Sequence, residues 1–247
     1  MTDLRILNSA TKYPEILTYH ALGERGRLTD SLTATFDGPT LLFEKVDGTN
    51  IRVIKDGTGD WIIGSREDLL TAKGDRVANK FEGVVEALGD LPDRLPDPFN
   101  QARVYYMEVY GGRITGNAKN YSKSGATGFR IFDVATVPLN LFTHWTLDQV
   151  SGWRKRGGQE WFPWDQVQAL VGGLDGIETV PELGRCDATE LPTEHQTTLD
   201  WLERKAPKTR CGLTEQGPAE GIVLRSPDRS QIAKARFQDY RRTLGIK

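Results

Sequence analysis

At 247 residues, with 38% hydrophobic and 27% charged side chains, the chain has an ordinary globular composition and enough apolar residues for a sizeable core. No apolar run of about 18 residues occurs, which excludes a transmembrane helix, and Met1-Thr2-Asp3-Leu4-Arg5 does not begin a secretory signal. The net charge of −2 is unevenly spread: residues 204–247 carry eleven Lys/Arg against four acids, +7 for that stretch and −9 for the rest, so a polyanionic ligand suits the C-terminal part.

Along the chain, residues 1–40 are irregular, with short mixed apolar runs. Leu41–Val46 reads as a strand. Asn50–Lys55 and Trp61–Ser65, joined through Asp56-Gly57-Thr58-Gly59-Asp60, read as a β-hairpin. Apolar residues at Val77, Phe81, Val84, Val85 and Leu88 have helical spacing and predict a helix over Asp75–Leu88. The Pro-rich stretch Leu91–Phe99 is expected to be a loop. Arg103–Val109 and Phe129–Val134 are predicted strands. Thr146–Arg156, Asp165–Leu170 and Glu194–Lys205 are predicted helices, and Gly221–Arg225 with Gln231–Arg236 a second hairpin around Pro227-Asp228. Cys186 and Cys211 sit in no CxxC pattern and near no metal-like histidine, so two free thiols are expected rather than a zinc site. The order is strands, a helical insertion at about 140–205, then returning strands; one domain of α/β or α+β type is the default for this length, and two lobes around a cleft also fit.

Four short regions carry chemistry. Glu44-Lys45-Val46-Asp47-Gly48-Thr49-Asn50-Ile51-Arg52 places a lysine at a strand end, before a glycine that allows a tight turn. Glu108-Val109-Tyr110-Gly111-Gly112 puts a carboxylate in a strand that runs into glycines. Phe129-Arg130-Ile131-Phe132-Asp133-Val134 is an aromatic strand. Glu220-Gly221-Ile222-Val223-Leu224-Arg225 and Ile232-Ala233-Lys234-Ala235-Arg236 close the set.

KxDG, the acidic strand leading to glycine, the FDV-type strand, EGIV and a final basic pair, in that order between residues 45 and 236, resemble the covalent nucleotidyltransferase superfamily of polynucleotide ligases and capping enzymes. KxDG alone is a weak signal; five segments in order are not. The extended form KxDGxN, with Asn50, is similar to RNA ligases of the phage T4 RNA ligase 2 type. The resemblance implies an ATP-grasp-like ligase fold, antiparallel sheets flanked by helices around a nucleotide cleft, spanning residues 1–247 as one domain. It also implies the reaction: ATP-dependent formation of a lysyl–AMP, transfer of AMP to an RNA 5′-phosphate, and sealing to a 3′-hydroxyl. ATP and Mg²⁺ (or Mn²⁺) are the implied cofactors, RNA with 5′-phosphate and 3′-hydroxyl ends the implied partner, and the cytoplasm, of the cell or of a phage host, the expected compartment.

Residue by residue, the resemblance implies Lys45 as nucleophile and Glu44 on the adenine edge. Asn50 and Arg52 are expected near phosphates or metal-bound water, Arg66 at phosphate or ribose, and Glu108 on the ribose. Phe129 is expected to stack on the purine, Glu220 to hold the metal, and Lys234 and Arg236 to contact the α-phosphate. Chemistry supports the pattern, because a lysine with its usual pKa of ~10.4 forfeits about 4–5 kcal/mol when it attacks at neutral pH, so neighbouring cations and partial burial must tune it.

The chain departs from the family pattern in one motif: the closing pair is Lys234-Ala235-Arg236, where two lysines are usual. Arginine keeps the charge but does not donate a proton as lysine does. Only eleven residues follow Arg236, so neither an OB domain nor a helical domain is expected after it. RNA docking is therefore expected to fall to the basic stretch 204–247 and the helix at 146–156, or to a protein partner. The alternatives are a DNA nick ligase, a capping-type guanylyltransferase, or a nucleotide-binding module dependent on a partner.

Overall fold

The computed structural model describes residues 3–75, 82–99, 101–138 and 142–246. In chain order the elements are α1 (Leu4–Thr11), β1 (His20–Leu22), β2 (Leu28–Leu32), β3 (Pro39–Lys45), β4 (Thr49–Lys55), β5 (Trp61–Ser65), β6 (Leu69–Ala72), α2 (Glu82–Glu86) and α3 (Leu91–Arg94). There follow β7 (Ala102–Gly111), β8 (Thr127–Val137), α4 (Leu147–Lys155), β9 (Glu160–Trp161), α5 (Trp164–Gly172), β10 (Glu182–Asp187), α6 (His195–Lys205), β11 (Gly221–Arg225), β12 (Ile232–Arg236) and α7 (Phe237–Leu244). The α+β class expected from the sequence is the one observed.

Several expectations need correction. Residues 1–40 are not irregular: they hold α1, capped by the Asp3 carboxylate on the Arg5 N–H, and the β1–β2 ribbon. Leu91–Arg94 is a short helix rather than a loop, because Pro92 falls in the first turn, where no N–H is needed. Of the helix expected over Asp75–Leu88, residues 82–86 are helical and 76–81 lie outside the described residues. The β10 strand and helix α7 were not foreseen.

The chain divides into two compact units. The first comprises Met1–Pro14, Gly48–Val109 and Thr127–Thr179; the second comprises Glu15–Asp47, Tyr110–Ala126 and Val180–Lys247. The stretch expected as one helical insertion, about 140–205, is split between them at residue 179/180 and contains β9 and β10 as well as helices.

A six-stranded sheet, in the order β6-β5-β4-β7-β8-β9, forms the centre of the first unit. Strand residues alternate between faces. Ile54, Val104 and Tyr106 share one face and pack against Ile6, Leu7 and Ala10 of α1 and Val150 of α4. Tyr13 lies edge-on against Tyr106, Phe132 and Trp161, with centroids 4.9, 5.0 and 5.4 Å away, and its hydroxyl donates to the buried Asp133 carboxylate at 2.9 Å. Asp133 thus has a structural partner within the core.

The second unit is built on an antiparallel sheet in the order β10-β3-β11-β12. Leu42, Ile222, Leu224, Ala233 and Ala235 share the face covered by Leu199, Trp201 and Leu202 of α6 and by Phe237 and Tyr240 of α7. Gly221 lies between Lys45 and Arg236 in register, and a Cβ there would fall on the Ala235 carbonyl oxygen. Close approach of β12 to β11 therefore requires glycine at this position. The two cysteines are free thiols. No helix among the described residues is long and apolar enough to cross a membrane.

Candidate functional site

In the second unit the register itself assembles the reactive face. Gly221 pairs with both Lys45 and Arg236, and Val223 pairs with both Phe43 and Lys234. Directly paired residues share a face, so Lys45, Lys234 and Arg236 project from the side of the sheet opposite the α6–α7 packing. Lys45 ends β3, and its ammonium donates to Glu220 Oε2 at 2.6 Å. The pair is only partly open, with side-chain exposures of 22% and 16%. Burial raises the proton affinity of Glu220; the Lys45 charge and hydrogen bond oppose this, Asp47 adds to it, and Arg236 opposes it. The hydrogen-bond partner of Lys45 is therefore a carboxylate, and the cations Lys234 and Arg236 share its face of the sheet.

Asp47, which follows the lysine by two, is anchored on both sides. Its N–H donates to the Tyr121 hydroxyl at 2.7 Å, and its carboxylate accepts from Asn117 Nδ2 at 2.6 Å. Sequence reasoning assigned it no role, although it is one of the three fixed letters of the KxDG pattern quoted above. Lys234 lends its backbone to the β1 approach: its N–H donates to Leu17 O and its carbonyl accepts from Tyr19 N.

Glu44 departs from its expected role. Its side chain is 1% exposed and lies on the helix-packed face with Leu42 and Ile222, opposite Lys45. Its carboxylate accepts from the Thr209 hydroxyl and, at 2.6 Å, from the Arg210 N–H. In this structure it anchors the 209–210 loop, and no free carboxylate is presented to an adenine. The reason is strand alternation: neighbours in β3 cannot face the same way.

Arg236 donates through Nε to Asp239 Oδ2 at 2.7 Å and through Nη2 to Asp239 Oδ1 at 3.0 Å. Asp239 was missed from the sequence; its i+3 spacing to Arg236 across a strand-to-helix junction was the available signal.

The remaining expected residues belong to the first unit. Asn50 sits directly opposite Glu108 in the β4–β7 register. Glu108 Oε1 accepts the Gly48 N–H at 3.1 Å. A Cβ on Gly48 would strike the Val109 carbonyl oxygen and the Glu108 side chain, so the glycine of the KVDG turn is a close-approach residue. The Asn50 Oδ1 is buried with no hydrogen-bond partner among the described residues. Phe129 lies on β8 with its ring partly open and is not a core residue.

Arg52, expected near phosphates or metal-bound water, is held by the fold in this structure. It is 0% exposed, so direct phosphate contact is not what this geometry offers. Its Nη1 donates to the carbonyls of Ser65 at 2.8 Å and Arg66 at 3.2 Å, and its Nη2 donates to Asn8. Desolvation lowers its pKa to about 10. Arg52 is a strut for the 65–68 turn, where Ser65 Oγ accepts the N–H groups of Glu67 and Asp68. That turn presents Arg66, whose side chain is 58% exposed.

The basic stretch expected to dock RNA is largely occupied with structural bonds. Arg225 is buried, Arg241 pairs with Glu203 at 3.3 Å and lies over the Phe237 ring, and Arg242 donates to the Gly26 carbonyl at 3.3 Å. Arg154 of α4 likewise donates to Ser9 O at 2.7 Å. Arg204, Lys208 and Arg210 are exposed.

Comparison with known proteins follows the same lines. The chain matches the fold of an archaeal ATP-dependent RNA ligase (TM-score 0.54, 17% identity, 93% of this chain and 49% of that one). It also matches Naegleria gruberi RNA ligase variants solved with ATP and Mn (TM-score 0.52, 15% identity, 86% and 53%) and with AMP and Mn (TM-score 0.52, 15% identity, 83% and 52%). The chain spans about half the length of these structures. No curated protein matches it significantly. The RNA ligase family model matches residues 38–238, from the start of β3 into the first turn of α7, and so takes in Lys45, Glu108, Glu220 and the Lys234–Arg236 pair: the chain belongs to the RNA ligase family.

Proposed function

We propose that the chain is an ATP-dependent RNA ligase that works through a lysyl–AMP on Lys45. The observation that carries this reading is the Lys45–Glu220 contact of 2.6 Å on the sheet face that also bears Lys234 and Arg236, in a chain of the RNA ligase family. The neutral amine of Lys45 attacks the α-phosphorus of ATP; the bond to the bridging oxygen breaks and pyrophosphate leaves with the electron pair. The proton must first leave Nζ, and Glu220 Oε2 is the acceptor within reach, its proton affinity already raised by burial. Lys234 and Arg236 supply positive charge for the phosphates, an electrostatic contribution that needs no reorganisation. AMP then passes from Lys45 to the RNA 5′-phosphate, and the 3′-hydroxyl displaces AMP to seal the strand.

A divalent cation fits the donor set in part. Among the described residues no group of three or more His, Cys, Asp or Glu is preassembled. Glu220, with Asp47 close enough to raise its proton affinity, is the carboxylate that would hold Mg²⁺ or Mn²⁺. When bound, the ion supplies charge neutralisation at the phosphates. Nucleotide contacts by Asn50, Arg66, Glu108 and Phe129 belong to the same proposal.

The test is incubation with α-labelled ATP or GTP and Mg²⁺, followed by denaturing separation. Lys45→Ala is expected to abolish labelling and Lys155→Ala, on an exposed position of α4, to retain it. The adduct is expected to be acid-labile and alkali-stable. Labelling that survives in the Lys45 variant overturns the reading; a preference for GTP makes the protein a guanylyltransferase, and sealing confined to nicked DNA a DNA ligase.

A further inference from the structure

We propose that Asp239 is a positioning residue for Arg236, so that the two side chains together do what a lysine at position 236 does elsewhere in the superfamily. This deepens the phosphate-contact reading of Arg236 and rests on it. Arg236 ends β12 on the face that bears Lys45, and Asp239 lies in the first turn of α7. The carboxylate takes two of the three guanidinium nitrogens, Nε at 2.7 Å and Nη2 at 3.0 Å, in the bidentate geometry that fixes both position and plane. Asp239 is 1% exposed, so the fork is not exchanged for water, and Arg242 approaches the same carboxylate from the surface at 3.9 Å. The third nitrogen, Nη1, has no hydrogen-bond partner among the described residues and remains for an anionic oxygen. The charge also reaches inward, since Arg236 draws down the proton affinity of Glu220, the carboxylate that holds Lys45.

Lysine cannot take this double part. Its ammonium is a compact point charge on a flexible stem; beside a buried carboxylate it is drawn into that pair, and no separate donor with a fixed direction remains for an anion. At this position the buried aspartate therefore favours arginine over lysine. The consequence is a reversal of sign. Asp239→Asn harms the wild-type background, where it frees the guanidinium to wander, and helps an Arg236→Lys background, where it releases the ammonium.

The experiment compares wild type, D239N, R236K and R236K/D239N by equilibrium ATP binding with Mg²⁺ and by the rate of labelling of Lys45, with thermal midpoints recorded alongside. D239N is expected to lower both readouts about 10-fold and R236K about 30-fold, with the double variant at least about 3-fold better than R236K, as coupled neighbours show. A gain in the double variant cannot arise from loss of stability, so the result holds even where D239N is less stable. A double variant no better than R236K overturns the proposal. Binding without labelling in wild type ends the lysyl–AMP reading, and the pair is then decided on the binding series alone; a wild type that binds no ATP overturns both.

Discussion

Glu44 and Lys45 are adjacent in β3, yet their side chains leave opposite faces of the sheet. Lys45 meets Glu220, and Glu44 meets Thr209 and the Arg210 N–H. One strand thus carries the proposed nucleophile and, on its reverse side, holds the loop that ends in an exposed arginine.

It follows that Glu44 acts through the fold. Glu44→Ala leaves the Thr209 hydroxyl and the Arg210 N–H without their acceptor, at a cost of about 1–3 kcal/mol for each buried group. The expected outcome is a lower thermal midpoint with an unchanged ratio of ATP to GTP labelling. A variant of normal stability with altered base preference would restore Glu44 to the base pocket.

Arg52 and Gly64 form a matched pair. A Cβ at Gly64 would lie 2.9 Å from Arg52 Nε, and the guanidinium closes over the Ser65 and Arg66 carbonyls. Arg52→Met keeps the bulk and removes the three donations, so both carbonyls and Asn8 lose their donor; a loss of about 2–4 kcal/mol is expected in denaturant unfolding. ATP labelling is expected to fall only as far as the population of folded protein does. Full stability combined with loss of labelling would instead place Arg52 at the phosphates.

Glu220 links function to pH. Its folded-state proton affinity is raised, so the folded protein binds more protons than the unfolded chain above the ordinary glutamate range. Its contribution to stability is fully present below the unfolded value and is lost as pH rises through the folded value. Glu220→Gln removes that dependence. The variant's thermal midpoint, relative to wild type, is expected to climb as pH rises above the ordinary glutamate range, while labelling is abolished. A difference that is flat or falls over this range would contradict the assignment.

Phe129 is partly open on β8. If it stacks on the purine, Phe129→Ala weakens ATP binding by about 10–100-fold, in line with base–aromatic stacks worth about 1–3 kcal/mol. Phe129→Tyr is expected to retain binding. Equal binding by the alanine variant would remove Phe129 from the pocket.

RNA docking separates the basic residues into two groups. Arg241→Glu with Arg242→Glu breaks the Glu203 pair, the Phe237 contact and the Gly26 bond, and is expected to lower stability. Arg204→Glu with Lys208→Glu alters exposed positions only. That pair is expected to weaken RNA binding and reduce its salt dependence by about one to two ion equivalents, each neutralised phosphate contributing a slope near ~0.7–0.9. No change in the salt slope would move the RNA contact elsewhere.

What the sequence by itself determined is local or periodic. The strand that carries Lys45, the β4–β5 hairpin, the β11–β12 hairpin and helices α4 to α6 were legible because each is written in local apolar patterning or in bounding turn residues such as Gly57, Gly59 and Pro227-Asp228. The order of motifs from Lys45 to Arg236 likewise reads directly from the chain and leads to the family. Tertiary structure decided which charges are spent. Arg52 and Arg66 look alike in sequence, but one is sealed under a turn and the other is exposed, because Gly64 makes room beside the first. Arg236 looks like a free cation until the chain turns at the end of β12 and sets Asp239 against it. A charged residue's partner, often far along the chain or across a bend, sets its solvation and hence its chemistry, and spacing along the chain does not encode that distance.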